Sequence, residues 1–170
     1  MFRIFRRFIV VIGLVSLIGS PLLAQDQPAK FFAAGVGIDS QSAPQAMGWG
    51  AMALPLTGNL LSYTDYDVSV IPGSTLQDIL QTKGLQFSIR TGLAQKVLVY
   101  NRLSLWGLLN AGIGAGGAPE TVTKASFAMG GFIDISFGRF GVLGILQEEK
   151  NASPQGFRFI PRFGIRYRFE

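Results

Sequence analysis

The chain ends in RFGIRYRFE, residues 162–170, and two unlike surfaces alternate along that stretch. Phe163, Ile165, Tyr167 and Phe169 are apolar or aromatic, whereas Arg162, Gly164, Arg166 and Arg168 are not. Side chains repeat at period two only in a strand, so this is a strand with one greasy and one cationic face. The pattern extends backward: Phe157, Phe159, Pro161 and Phe163 continue the apolar face, and Arg158 joins the arginines. In a soluble sandwich the aromatic face would meet a core and the arginines would meet water. In a membrane barrel the aromatics would meet lipid and the arginines a polar lumen. The strand alone leaves both open.

The opposite end of the chain bears on the choice. Residues 1–27 read MFRIFRRFIVVIGLVSLIGSPLLAQDQ, with Arg3, Arg6 and Arg7 before an apolar run from Phe8 to Ile18. A Gly-Ser-Pro break and a polar segment follow, and Ala24 offers a cleavage site. This is the layout of a signal peptide over residues 1–24. The competing reading, an uncleaved anchor, meets a run shorter than the ~20 residues a helical span requires. Removal of residues 1–24 leaves residues 25–170 as one domain of 146 residues with 12 bases and 10 acids, a net charge of +2. The basic character therefore belongs partly to export. Without long basic runs, no nucleic-acid partner is expected. Cysteine is absent, so no disulfide staples the fold.

The remaining chain is nearly all strand signal. Eight stretches carry it: 30–39, 48–57, 60–70, 85–99, 102–115, 125–137, 140–149 and 156–169. In most of them an apolar set alternates with a small or polar one. Phe32, Ala34, Val36 and Ile38 oppose Ala33, Gly35, Gly37 and Asp39, and Tyr66, Val68 and Val70 oppose Asp65, Asp67 and Ser69. Phe87, Ile89, Leu93 and Val97 oppose Ser88, Arg90, Gly92 and Lys96. Leu103, Leu105, Leu109 and Ile113 oppose Ser104, Trp106, Asn110 and Gly112, while Ile133 and Ile135 oppose Asp134 and Ser136. The seventh stretch has no settled register, so either Glu148 or Glu149 faces inward.

The connections alternate in length. Residues 40–47, 71–84, 116–124 and 150–155 are long, whereas Thr57-Gly58-Asn59, Tyr100-Asn101 and Gly138-Arg139 are short. An even number of strands with short turns at one rim and long loops at the other is the layout of an outer-membrane barrel. The expected fold is thus all-β: a transmembrane antiparallel up-and-down barrel of eight strands. The energetics agree, since each arginine turned toward the bilayer midplane costs ~2–4 kcal/mol. Four such arginines would rival the ~5–15 kcal/mol stability of a whole domain. The arginines therefore face inward.

Across the whole of residues 25–170 the chain resembles the small eight-stranded bacterial outer-membrane barrels, the OmpA/OmpX-like group. Its last strand is similar to the assembly signal such proteins present: polar, any, glycine, any two, aromatic, any, aromatic. Here Arg162, Gly164, Tyr167 and Phe169 occupy the defining positions, and Glu170 follows where the family usually ends on the aromatic. The resemblance implies an outer-membrane location, contact with outer-membrane lipid, and recognition by the barrel-assembly machinery. It leaves the partner of the surface loops unknown.

Smaller features have competing readings. Gly112 to Gly117 satisfies G-x-G-x-x-G, but Ala118-Pro119-Glu120 follows instead of a helix start, which disfavours a dinucleotide site. Thr75-Leu76-Gln77-Asp78 fits a capping box, so the second long loop holds either a short helix or plain loop. Asn151-Ala152-Ser153 is a glycosylation sequon without meaning behind a bacterial-type signal. Pro55 is expected at the short-turn rim and Pro161 near the opposite one, since proline lacks a ladder donor. Trp49 and Trp106 are expected to pack in the lumen or at an interface.

Histidine and cysteine are both absent, which removes a histidine base beside a serine and the usual zinc ligands. No enzyme activity, cofactor or metal is expected. Asp65 and Asp67 share a face and could form a carboxylate pair, but ion pairing with inward bases is the plainer reading. The expected site is a lumen charge network of Asp65, Asp67, Arg90, Asp134, Arg158, Arg162, Arg166 and Arg168. Two roles remain: a structural or surface-interaction barrel with a plugged lumen, and a narrow pore for small solutes.

Overall fold

The computed structural model describes residues 30–39, 45–71, 73–81, 84–116, 124–151 and 157–169. The expected signal peptide, its cleavage site, Gly117, most of the sequon and Glu170 lie outside the described residues. Eight strands form the fold: β1 (Lys30–Asp39), β2 (Gln45–Thr57), β3 (Leu60–Val70), β4 (Leu85–Tyr100), β5 (Leu103–Gly116), β6 (Lys124–Phe137), β7 (Phe140–Asn151) and β8 (Phe157–Phe169). Each pairs antiparallel with its sequence neighbours, and β8 pairs with β1 to close the barrel. Closure removes every free edge, so no ladder is left to pair with another chain.

The lengths of 10 to 16 residues suffice for the ~9–11 residues a tilted strand needs to cross a bilayer. The two rims differ as their connections predict. The short turns are Gly58-Asn59, Asn101-Arg102 and Gly138-Arg139. A tight hairpin requires positive φ, which Gly58 (50°) and Gly138 (66°) supply freely and Asn101 (54°) tolerates. The second expected short turn, Tyr100-Asn101, is displaced by one residue to Asn101-Arg102. At the other rim, β2 starts at Gln45 rather than 48, which shortens the first long loop.

The second long loop contains the short helix α1 (Leu76–Leu80). Thr75 caps it: its Oγ1 accepts from the Asp78 amide at 3.2 Å, and Asp78 Oδ2 accepts from the Thr75 amide at 2.9 Å. The capping box therefore forms, and the helix alternative is the correct one.

The two faces of each strand separate as alternation requires. Val36 (68 % exposed), Ile113, Ile133, Phe163 (65 %) and Ile165 stand on the outside. Phe31, Trp49, Tyr63, Leu108, Phe132, Leu143 and Ile160 are buried on the inside. A continuous exposed apolar surface of this kind has no counterpart on an ordinary soluble monomer.

Parity holds along β4 only as far as Lys96. The register then shifts, because Lys96 opposes Trp106 while Leu98 opposes Leu105. Val97 is the extra residue of a bulge, and Leu98 takes the outward position expected for Val97. A second bulge, between Pro55 and Thr57, lies next to the Gly58-Asn59 turn, so Pro55 sits at the short-turn rim. Pro161 lies where the β1–β8 ladder has already ended, at Gly37 with Arg162, while pairing with β7 continues through Leu146. Its missing donor falls in the half of β8 nearer the long loops.

Candidate functional site

The lumen is organised around Arg90. β4 turns this side chain inward and β3 places Asp65 directly opposite it. Arg90 Nε donates to Asp65 Oδ1 at 2.8 Å, and Nη1 donates to Glu149 Oε2 at 3.0 Å and to Ser88 Oγ at 3.2 Å. Nη2 pairs with Asp67. One guanidinium, fully buried, therefore holds carboxylates from β3 and from β7. The planar fork of arginine suits this task, because its five donors point in fixed directions.

The network continues across the barrel. Asp67 Oδ2 accepts from Arg162 Nη2 at 2.8 Å, and Arg162 Nη1 reaches Gln147. Gln147 Nε2 donates to Asn110 Oδ1 at 3.4 Å, and Asn110 Nδ2 returns to Asp65 Oδ2 at 2.8 Å. Strands β3, β4, β5, β7 and β8 thus meet in one polar circuit. The unsettled register of β7 is resolved with Glu149 inward. Glu148 shares the face of Phe140 and Val142, yet is buried at 6 % exposure.

A second cluster lies nearer the short turns. Arg166 Nε donates to Asp134 Oδ1 at 2.8 Å and Nη2 to Ser136 Oγ at 2.7 Å. Arg168 Nη2 donates to Asp134 Oδ2 at 3.2 Å and to the same Ser136 hydroxyl at 3.0 Å. The Arg166 guanidinium lies over Gly141, where a Cβ would stand 2.8 Å from Cζ.

Between the two clusters the lumen is aromatic. Trp106 and Phe132 stack at 5.4 Å with an 11° tilt, Tyr63 stacks on Phe132 at 5.7 Å, and Phe31 meets Phe132 edge-on at 6.3 Å. Lys96 sits 5.4 Å from the Trp106 ring centroid. The single charge network read from the sequence is therefore two networks with an apolar layer between them. The physical reason is that the inward set of each strand is itself mixed: Tyr63, Trp106 and Phe132 share parity with Asp65, Asn110 and Asp134.

Of the expected lumen residues, Asp65, Asp67, Arg90 and Arg162 meet in the first cluster, and Asp134, Arg166 and Arg168 in the second. Arg158 pairs with Glu149 along β7–β8, and its side chain lies outside the described set, as does that of Asp39. Ser88, Asn110 and Gln147 complete the first circuit without having been singled out. Strand parity marks Ser88 and Asn110 as inward, but not that they bridge ions. Among the described residues no group of three potential metal ligands occurs, and Arg90 occupies the space between the carboxylates.

The expected assembly residues also have roles in the folded chain. Gly164 opposes Gly35 across the closing β1–β8 ladder. Trp49, from β2, reaches over this pair. Its Nε1 lies 3.1 Å from the carbonyl oxygens of both Val36 and Phe163, which face each other across the same ladder. On the outside, Phe169 stacks on Phe32 at 4.8 Å and Tyr167 lies 5.3 Å from Phe140.

A closed eight-stranded antiparallel barrel, greasy outside and polar within, with short turns at one rim only, has the architecture of the small outer-membrane barrels. Comparison with solved structures gives the same fold. The crystal structure of Neisserial surface protein A (NspA) superposes with a TM-score of 0.61 at 11% identity, covering 82% of this chain and 96% of that one. The outer membrane protein Ail of Yersinia pestis, determined in phospholipid bilayer nanodiscs, superposes with a TM-score of 0.53 at 14% identity, covering 84% of this chain and all of that one. No protein-family pattern matches the chain, and no curated protein is similar to it in sequence. The likeness to the OmpA/OmpX-like group is thus one of fold.

Proposed function

We propose that the protein is an integral outer-membrane barrel with a structural or surface-interaction role, its lumen plugged by side chains. Its outer face is matched to lipid, and its last strand is read by the barrel-assembly machinery during insertion.

The observation that carries the plugged-lumen reading is the burial of Arg90 between carboxylates of facing walls, backed by the aromatic layer beneath it. An eight-stranded barrel is just wide enough for side chains to fill. Breaking a buried ion pair leaves an uncompensated charge at a cost of ~3–5 kcal/mol, so such a circuit resists opening. The lack of histidine and cysteine supports a non-enzymatic role.

Single-channel recording of the refolded protein in planar bilayers tests the reading. The wild type is expected to insert without stable conductance steps. Steady unitary currents would replace it with the narrow-pore alternative. Heat-modifiable migration in gels checks insertion separately from conduction.

A further inference from the structure

The capped helix of the second long loop takes no part in the barrel wall or its lumen, and its two sides differ. Leu76, Ile79 and Leu80 stand at i, i+3 and i+4 on one side, while Gln77, Asp78 and the C-cap Gln81 fall on the other. Ile79 is half-buried, but Leu76 is 73 % exposed and Leu80 77 %. Among the described residues only Tyr100 is as bare a large apolar side chain, so these two leucines are barer than the strand residues that face lipid.

The helix is tied to the barrel. Val70 and Leu85, both outward, form the last residue pair of β3 and β4, and the Ile71 amide donates to the Gly84 carbonyl at 2.8 Å one step beyond them. The Gly84 amide then donates to the Asp78 carbonyl at 2.9 Å, which holds α1 against the end of the ladder. A Cβ at position 84 would stand 2.7 Å from Ser74 Cβ and 3.1 Å from the Ile79 nitrogen, so only glycine allows the loop to close this tightly. With Thr75 and Asp78 capping each other as well, the leucines are presented on a preorganised turn, which leaves little backbone entropy to lose on contact.

The outer surface of the barrel leads up to this turn. The outward pairs of β3 and β4 toward the long-loop rim are Tyr66 with Ile89, Val68 with Phe87 and Val70 with Leu85, aromatic or apolar to the very end of the ladder. Leu76 and Leu80 follow on the segment fastened to that end. Residues 71–84 contain one acid, Asp78, and one base, Lys83, so no net charge draws the segment to a charged partner. What it offers is apolar area beside the hydrocarbon that already covers the strands.

We propose that α1 is an interfacial foot that lays Leu76 and Leu80 among the acyl chains of the leaflet at the long-loop rim. This rests on the membrane reading above. An amphipathic turn at headgroup level buries its apolar side and leaves its polar side in water. Gln77 and Gln81 then face water, and the β3–β4 loop lies along the membrane surface.

Because the chain has no cysteine, single substitutions place a spin label at a chosen site. Labels on Leu76→Cys, Leu80→Cys, Gln77→Cys and Gln81→Cys are compared in the full barrel reconstituted in phosphatidylcholine vesicles. Electron paramagnetic resonance reads their collisions with oxygen, which enters hydrocarbon, and with a water-soluble nickel chelate. The oxygen-to-nickel ratio at the two leucine sites should exceed that at the two glutamine sites several-fold. A label on Ile113→Cys, on the lipid face of β5, gives the ratio for hydrocarbon. Water-like ratios at all four loop sites, with a hydrocarbon ratio at Ile113, would overturn the inference and leave the membrane reading standing. Leucine-site labels shielded from both reagents until the barrels are diluted with lipid would also overturn it, in favour of a second copy covering the leucines. A water-like ratio at Ile113 would overturn both.

Discussion

The indole of Trp49 spans a whole strand to rest against Gly164. A Cβ at position 164 would stand 2.6 Å from Trp49 Cζ2 and would also meet the Ala34 carbonyl oxygen. The shared hydrogen bond from Nε1 to Val36 and Phe163 pins the ladder that joins the first strand to the last. The final seam of the barrel is thus held by a side chain that belongs to neither of its strands.

Gly164→Ala should therefore destabilise the barrel by about 1–3 kcal/mol, the usual cost of overpacking. Gly35→Ala should act likewise, since its Cβ would fall 2.5 Å from the Gly164 Cα. The check is the urea midpoint in lipid vesicles. Adding Trp49→Ala to Gly164→Ala should cost less than the two single changes combined. Full additivity would mean that the indole and the glycine do not share a slot.

Arg90→Met should cost about 3–5 kcal/mol, because it leaves Asp65, Asp67 and Glu149 buried without their common cation. Asp65→Asn, Asp67→Asn and Glu149→Gln made together with Arg90→Met should recover part of that loss. A single variant with a wild-type unfolding midpoint would show that the circuit contributes nothing net.

Asp134 anchors both Arg166 and Arg168. Asp134→Ala should lower the denaturant midpoint more than Glu120→Ala, which removes a charge from the segment between β5 and β6. Equal midpoints would remove Asp134 from any buried network. The first circuit should be insulated from the change by the aromatic layer, so Asp134→Ala and Asp65→Asn should be nearly additive.

Tyr167→Ala combined with Phe169→Ala should leave the protein in the periplasm. These rings complete the terminal pattern and also form the contacts with Phe140 and Phe32. Refolding into vesicles without any machinery separates the two effects. Normal insertion of the double variant in cells would make the terminal pattern incidental.

The alternation of Arg162, Arg166 and Arg168 with aromatics is enough to orient β8, and the parity of loop lengths is enough to sort the rims. The first follows from the period-two alternation of side chains and the second from the up-and-down order of the strands, and a sequence displays both directly. The bulge at Val97 is not legible, because an inserted residue changes parity without changing residue type. Nor is the division of the lumen into two clusters. Alternation says that Phe132 and Asp134 point the same way, but only the stagger of neighbouring strands decides which inward residues meet at one level. The reach of Trp49 over Gly35 is hidden for the same reason: Gly35 and Gly164 come together only on closure.

The bulge in β4 has a consequence for which changes of chain length the barrel tolerates. Val97 has no partner residue on β5, while Lys96 and Leu98 on either side of it are paired. Excising Val97 would join Lys96, facing in, to Leu98, facing out, and leave every later side chain on its present face. Excising Gly92 or Ala94 instead would invert part of the strand and drive lumen residues into lipid. Along β4, then, Val97 marks a site where natural drift can shorten the strand by one residue without rewriting its pattern.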